Sequence, residues 1–143
     1  MSLSHKFILK ENSSDLKKVL NDLHNSNIYV NVTDEIVLYI LDSFEWLKLN
    51  WNGERESYGL NYYGYSIFNE CSITKMIEIL KAWVMLFEQA TNQFSLRGDY
   101  LLDEEKFAKN TFNKDAVLNN LKELLDLFTL AYEDNKIIVH DGI

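Results

Sequence analysis

The run KIIVHDGI places His140 beside Asp141 at the end of an apolar stretch. A histidine next to an acid, held on a rigid strand, has the makings of a general base. The commoner role of a lone histidine there is structural, hydrogen-bonded at the margin of a core. His5 and His24 lie far away in sequence, and none of the three histidines has a second histidine or cysteine two to four positions on. The spacing of a transition-metal site is therefore missing. Cys71 is the single cysteine, which excludes an intrachain disulfide and a cysteine-rich zinc site. It precedes an expected helix, where a thiol pKa can fall, but no base or resolving cysteine accompanies it.

The segment DYLLDEE offers Asp99, Asp103, Glu104 and Glu105 as oxygen donors, without the alternating spacing or the glycine of a calcium loop. It reads as a solvated hairpin turn, and Arg97-Gly98-Asp99 ahead of it as a bulge at Gly98 rather than an adhesion tripeptide. The five glycines are spread singly, so there is neither a phosphate-cradling loop nor a nucleophile elbow. The remaining candidates are aromatic. YGLNYYGYSIF, from Tyr58 to Phe68, contains Tyr58, Tyr62, Tyr63 and Tyr65, and Trp46, Trp51, Glu54 and Glu56 stand just before it. Such side chains suit a protein interface, because aromatics supply anchoring area and rim carboxylates supply steering. The same tyrosines, with His140 and Asp141 as polar groups, would equally line a small-molecule pocket.

These residues must be positioned by the elements around them. KFIL, Lys6 to Leu9, reads as an opening strand, and Leu16, Val19, Leu20 and Leu23 recur at helical spacing up to about Asn25. From Ile28 to Trp51 the β-branched and aromatic content favours a meander, with strands near 28–32, 36–41 and 44–51. The alternative is one helix from Asp34 to Trp51, with Ile36, Val37, Ile40, Phe44, Leu47 and Trp51 on one face. Regular pleating would leave the tyrosine strip apolar on both faces. A bulge at Gly64 would shift its parity and put Tyr58, Leu60, Tyr62, Tyr65 and Ile67 on the core side. That expectation leaves Tyr63 as the tyrosine free to meet a partner.

A wide apolar helix follows, capped by Ser72 and running through ITKMIEILKAWVMLFEQA. QFSLRGDYLL and KFAKNTF read as strands about the DEE turn. Asn113 caps a last helix striped by Val117, Leu118, Leu121, Leu124, Leu125, Phe128 and Ala131, and Lys136 to His140 closes as a strand. LKAWVMLFEQA resembles LKELLDLFTLA, with Leu80, Trp83, Phe87 and Ala90 answering to Leu121, Leu124, Phe128 and Ala131. Shared helical periodicity or a duplication accounts for this, and the layout reads as two strand–helix–strand units laid on one sheet.

At 143 residues with 47% hydrophobic composition, the chain fits one α+β domain spanning 1–143. The expected architecture is a largely antiparallel sheet with three helices packed mainly on one face. A net charge of −8 disfavours a nucleic-acid backbone or an anionic membrane as partner and permits a basic protein. No apolar run approaches the length of a membrane span and the N-terminal segment has no secretory pattern, so a cytoplasmic location is expected. The abundance of Asn, Lys and Ile suggests an AT-rich bacterial genome.

YGYSIF before a helix, FSLRGDY after it, and a closing helix with IIVHDGI resemble a group of small acidic bacterial α+β proteins. Some of that group carry a coproporphyrinogen oxidase label. The radical form of that enzyme needs a cysteine cluster for its iron–sulfur centre, and this chain has Cys71 alone. In size and acidity the chain is also similar to immunity proteins of bacterial toxin systems. That resemblance implies a non-enzymatic module that binds a basic protein and uses no cofactor or metal.

Overall fold

The computed structural model describes residues 3–143. β1 (Ser4–Lys10) is followed by α1 (Leu16–Asn21), β2 (Tyr29–Thr33), α2 (Asp34–Phe44), β3 (Lys48–Trp51) and β4 (Arg55–Tyr58). β5 (Tyr65–Phe68), α3 (Glu70–Phe87), β6 (Gln93–Leu101), β7 (Lys106–Asn113), α4 (Lys114–Glu133) and β8 (Ile137–Asp141) complete the chain. Six strands form one sheet in the order β2-β1-β8-β5-β3-β4, and every neighbouring pair is antiparallel. The expected α+β class and the antiparallel sheet are what the structure shows. None of the described helices is long and apolar enough to cross a membrane.

The last strand, β8, lies between β1 and β5 and is covered on both sides. A strand buried on both faces reads as a continuous apolar run, which is why Ile137, Ile138 and Val139 show no alternation. Ile138 faces α2, α3 and α4 together with Phe7, Phe68 and Phe128. The Phe68 and Phe128 rings meet edge to face at 4.9 Å, and Phe7 lies 6.1 Å from Phe128. Ile137 and Val139 face the other way, where α1 lays Val19 over them, with Leu23 just beyond its end. Of the three helices expected on one face, α3 and α4 are there and are joined by α2, whereas the short α1 takes the opposite one.

Four local expectations are corrected. The meander fails at its middle: residues 34–44 are helix, and only β2 and β3 survive as strands. The alternative helix to Trp51 also fails, because the chain leaves α2 after Phe44 in a tight turn closed by Leu47 N–H donating to Phe44 C=O at 2.9 Å. Burial decides the matter over propensity, since Ile36, Val37, Ile40 and Phe44 are all buried along one side. Asp34 and Glu35 in the first turn complement the helix dipole.

The tyrosine strip is likewise not one strand. It runs as β4, a loop, then β5, because Gly59 takes φ +85 and ends the pairing. Gly64 forms no bulge; its N–H donates to Asn61 C=O at 3.2 Å in a turn just before β5. Tyr65 and Ile67 therefore face α1, while Tyr58 is exposed. The third correction concerns β6 and β7, which form a separate two-stranded ribbon and do not join the main sheet. Within the ribbon the expected bulge is present, as a register shift between Arg97 and Tyr100. Asn113 caps α4 through Ala116 N–H as expected, whereas α3 is capped by Asn69, which accepts from Ser72 N–H, and not by Ser72.

Phe128 joins β1 and β5 to α4, so Phe128→Ala should lower the unfolding free energy by about 3–5 kcal/mol. Urea unfolding with an unchanged slope checks this; a loss under about 1 kcal/mol would contradict the packing described.

Candidate functional site

The residues singled out in the sequence do not converge on one spot. Tyr58 and Glu56 stand on the edge strand β4, with Glu56 3.1 Å from Lys48. Glu54 pairs with Lys17 of α1 at 2.8 Å, and that lysine holds its carboxyl below the usual range. Trp51 is half-buried, its indole N–H donating to Gly59 C=O at 2.8 Å, and Tyr65 packs under α1. Tyr63 is the most exposed of the tyrosines, at 83%. His140 and Asp141 point to opposite faces of β8, so they share no pocket. His140 faces the core beneath the long helices. Asp141 lies across from Lys6 and Tyr65, and burial raises its carboxyl pKa despite the opposing pull of His24 and Lys6. Cys71 is exposed in the first turn of α3.

Sequence order conceals a polar chain that the sheet assembles. β1 beside β8 brings His5 against His140, with His5 Nδ1 2.8 Å from His140 Nε2. β8 beside β5 brings His140 Nδ1 to 3.4 Å from Ser66 Oγ. At the start of α2, Asp34 Oδ1 lies 2.9 Å from His5 Nε2 and accepts the Tyr62 hydroxyl at 2.5 Å. His5, His140 and Ser66 are each fully buried, and the Asp34 side chain is 14% exposed. One assignment of protons satisfies every contact. Ser66 donates to His140, His140 donates through Nε2 to His5, and His5 donates through Nε2 to Asp34. Burial, and then the neighbouring His5, push the His140 pKa down to about 3. Burial, then the Asp34 carboxylate, hold the Tyr62 hydroxyl protonated well above the usual phenol range.

This chain has the residue types of a nucleophile relay, but Ser66 Oγ has no solvent-exposed side for a substrate to approach. Its visible work is to satisfy buried polar atoms within the core. Its signal in the sequence was parity: His5 shares strand parity with Phe7 and Leu9, and His140 shares it with Ile138. Among the described residues, no three His, Cys, Asp or Glu side chains are grouped so as to hold a metal ion.

An open groove of about 470 Å³ lies elsewhere, between α2 and α3, lined by Ser43, Trp46, Ile79, Ala82, Trp83 and Leu86. Trp46 is 61% exposed and Leu86 54%. Trp83 donates its indole N–H to Ser43 Oγ at 2.9 Å, which leaves the groove wall almost wholly apolar. Lys75 and Glu78 stand at its rim, and Lys75 Nζ donates to Trp46 C=O at 2.8 Å. The Trp83 ring continues into an aromatic row, with Tyr39 at 5.7 Å, Phe87 at 5.7 Å and then Phe94 beyond Phe87 at 5.7 Å. Of the residues singled out beforehand, Trp46 alone belongs to this groove. Trp83 and Leu86 were missed because a broad apolar helix face looks the same whether it is covered or open.

No family model, no curated protein and no solved structure matches this chain.

The depressed His140 pKa makes folding sensitive to acid. The unfolded histidine takes up a proton below about pH 6.5 while the folded one stays neutral, so stability is full above that value and falls as pH drops towards 3. The expected slope approaches about 1.4 kcal/mol per pH unit. Urea midpoints between about pH 7.5 and about pH 5 measure it, and His140→Gln should flatten the profile relative to the native chain.

Proposed function

We propose that this protein is a non-enzymatic interaction module that binds a basic protein partner, in the manner of an immunity protein neutralising a toxin. The observation that carries this reading is the open apolar groove between α2 and α3, with Trp46 and Leu86 exposed on its walls. Exposed aromatic side chains over a pocket of this kind are the usual anchors of protein interfaces. Carboxylates outnumber the one cation that lines the groove: Glu78 shares the rim with Lys75, Asp42 and Glu45 flank the α2 end of the groove in sequence, and the whole chain has a net charge of −8. An apolar side chain on a lysine- or arginine-rich segment of the partner fits both features. The apolar group fills the groove, and the basic flanks meet the carboxylates and speed encounter. The acidic balance goes with a protein partner in preference to a phosphate backbone, and a bacterial cytoplasmic setting accords with the composition.

Affinity capture from native cytoplasm tests this, with the wild-type chain and Trp46→Ala compared side by side. A basic protein should be retained by the wild type, released as salt rises from about 50 to about 300 mM, and held at least tenfold less well by Trp46→Ala. Recovery of no basic protein, or equal retention by both chains, contradicts the proposal.

A further inference from the structure

The buried polar chain ends twice on the same turn. At one end Ser66 Oγ accepts the Asn61 N–H at 2.7 Å, and at the other Asp34 Oδ1 accepts the Tyr62 hydroxyl at 2.5 Å. Asn61 and Tyr62 are consecutive, and the next residue is the exposed Tyr63. The turn is held further by Gly64 C=O, which accepts from Gly142 N–H at 2.9 Å, and by Tyr62 C=O, which accepts from Ile143 N–H at 3.0 Å. A Cβ at Gly142 would lie 2.2 Å from Tyr62 O, so the segment after β8 passes against the turn as closely as glycine allows.

We propose that the chain Asp34–His5–His140–Ser66 is an acid-responsive latch, in which one proton added to the histidine pair releases the Asn61–Gly64 turn and the Tyr63 it presents. With one hydrogen on each ring, every donor in the chain has an acceptor. A second hydrogen on the pair enters at His5 Nδ1, where it faces the hydrogen on His140 Nε2 at a ring-to-ring distance of 2.8 Å. Two N–H groups cannot share that contact, so His140 must move its own hydrogen to Nδ1. There it points at Ser66 Oγ, whose hydroxyl hydrogen loses the acceptor it had. Ser66 is fully buried, and a hydroxyl without an acceptor there is costly. Ser66 Oγ then faces two donors, Asn61 N–H and His140 Nδ1–H, and the side chain finds an acceptor for its own hydrogen only by turning away and giving up Asn61.

The groups facing the pair are few. Phe7 of β1 packs on the His140 ring at 5.1 Å, and Val32 of β2 stands opposite His5, neither of them titratable. α2 contributes Asp34, and the turn contributes Tyr62, whose ring lies 5.1 Å from that of His5. Asp99, on the β6–β7 ribbon, adds negative field at Tyr62. Lys6 and Asp141 are on the opposite face of the sheet from the pair. The latch is independent of any partner, and its test needs none.

Nuclear magnetic resonance on the full chain decides it, following the ring signals of His5 and His140 and the amides of residues 61–64 from about pH 7.5 to about pH 5. The rings and the turn amides should move with one midpoint. Amide protection in the turn, corrected for intrinsic exchange, should fall at least tenfold across that midpoint while β1, β5 and β8 keep theirs. Ser66→Ala keeps both rings but removes the Asn61 acceptor, and should loosen the turn already at neutral pH. Turn amides that stay protected while the ring signals move, or ring signals that stay fixed across the range, overturn the proposal. So does protection lost only when the whole sheet unfolds.

Discussion

The pairing of β8 between β1 and β5 is the interaction on which the rest of this structure depends. It joins the last strand of the chain to the first, and it sets which side chains meet across the middle of the sheet. Alternate residues of β8 serve two cores at once. Ile138 closes the large core with Phe7, Phe68 and Phe128, while Ile137 and Val139 close the smaller one beneath α1. The same register places His140 between His5 and Ser66. Apolar packing and the polar chain are thus two consequences of one strand alignment, and a slip by one residue would bury Asp141 in place of His140.

That dependence explains what could be read in advance and what could not. α4 was legible because its apolar stripe keeps a helical period over its whole length and Asn113 marks its start. α2 was misread because Ile36, Val37, Tyr39 and Ile40 are strand-type residues by propensity, and only contact with the sheet shows that they form a helix. The tyrosine strip was misread because Gly59 breaks it, and a positive φ leaves no trace in hydrophobic alternation. The bulge at Gly98 was legible because a glycine among alternating residues was the only irregularity there. His5, Asp34, Ser66 and His140 are spread from one end of the chain to the other, and strand order alone brings them together.

The candidate surface follows from how the helices are spent. α3 and α4 pack side by side over the centre of the sheet, and α2 covers its flank. α2 meets α3 across Tyr39, Trp83 and Phe87, and beyond Trp83 their outer faces stay open. Trp46, just past the end of α2, is left over that opening without a neighbouring element to cover it. The tyrosines of the strip are divided: Tyr65 lies in the smaller core and Tyr62 on Asp34, while Tyr58 on the edge strand and Tyr63 in the turn before β5 are exposed. In the proposed reading, aromatic anchoring moves from the strip to Trp46 and Trp83 of the groove, with Asp42, Glu45 and Glu78 nearby.

The most direct test of that assignment is a chemical-shift map of the isotope-labelled chain as a basic partner is added. The account predicts saturable shifts at the indole N–H signals of Trp46 and Trp83 and at the α3 amides from Lys75 to Leu86. Shifts confined to the β4 edge around Glu56 and Tyr58, with both indole signals unmoved, would contradict it.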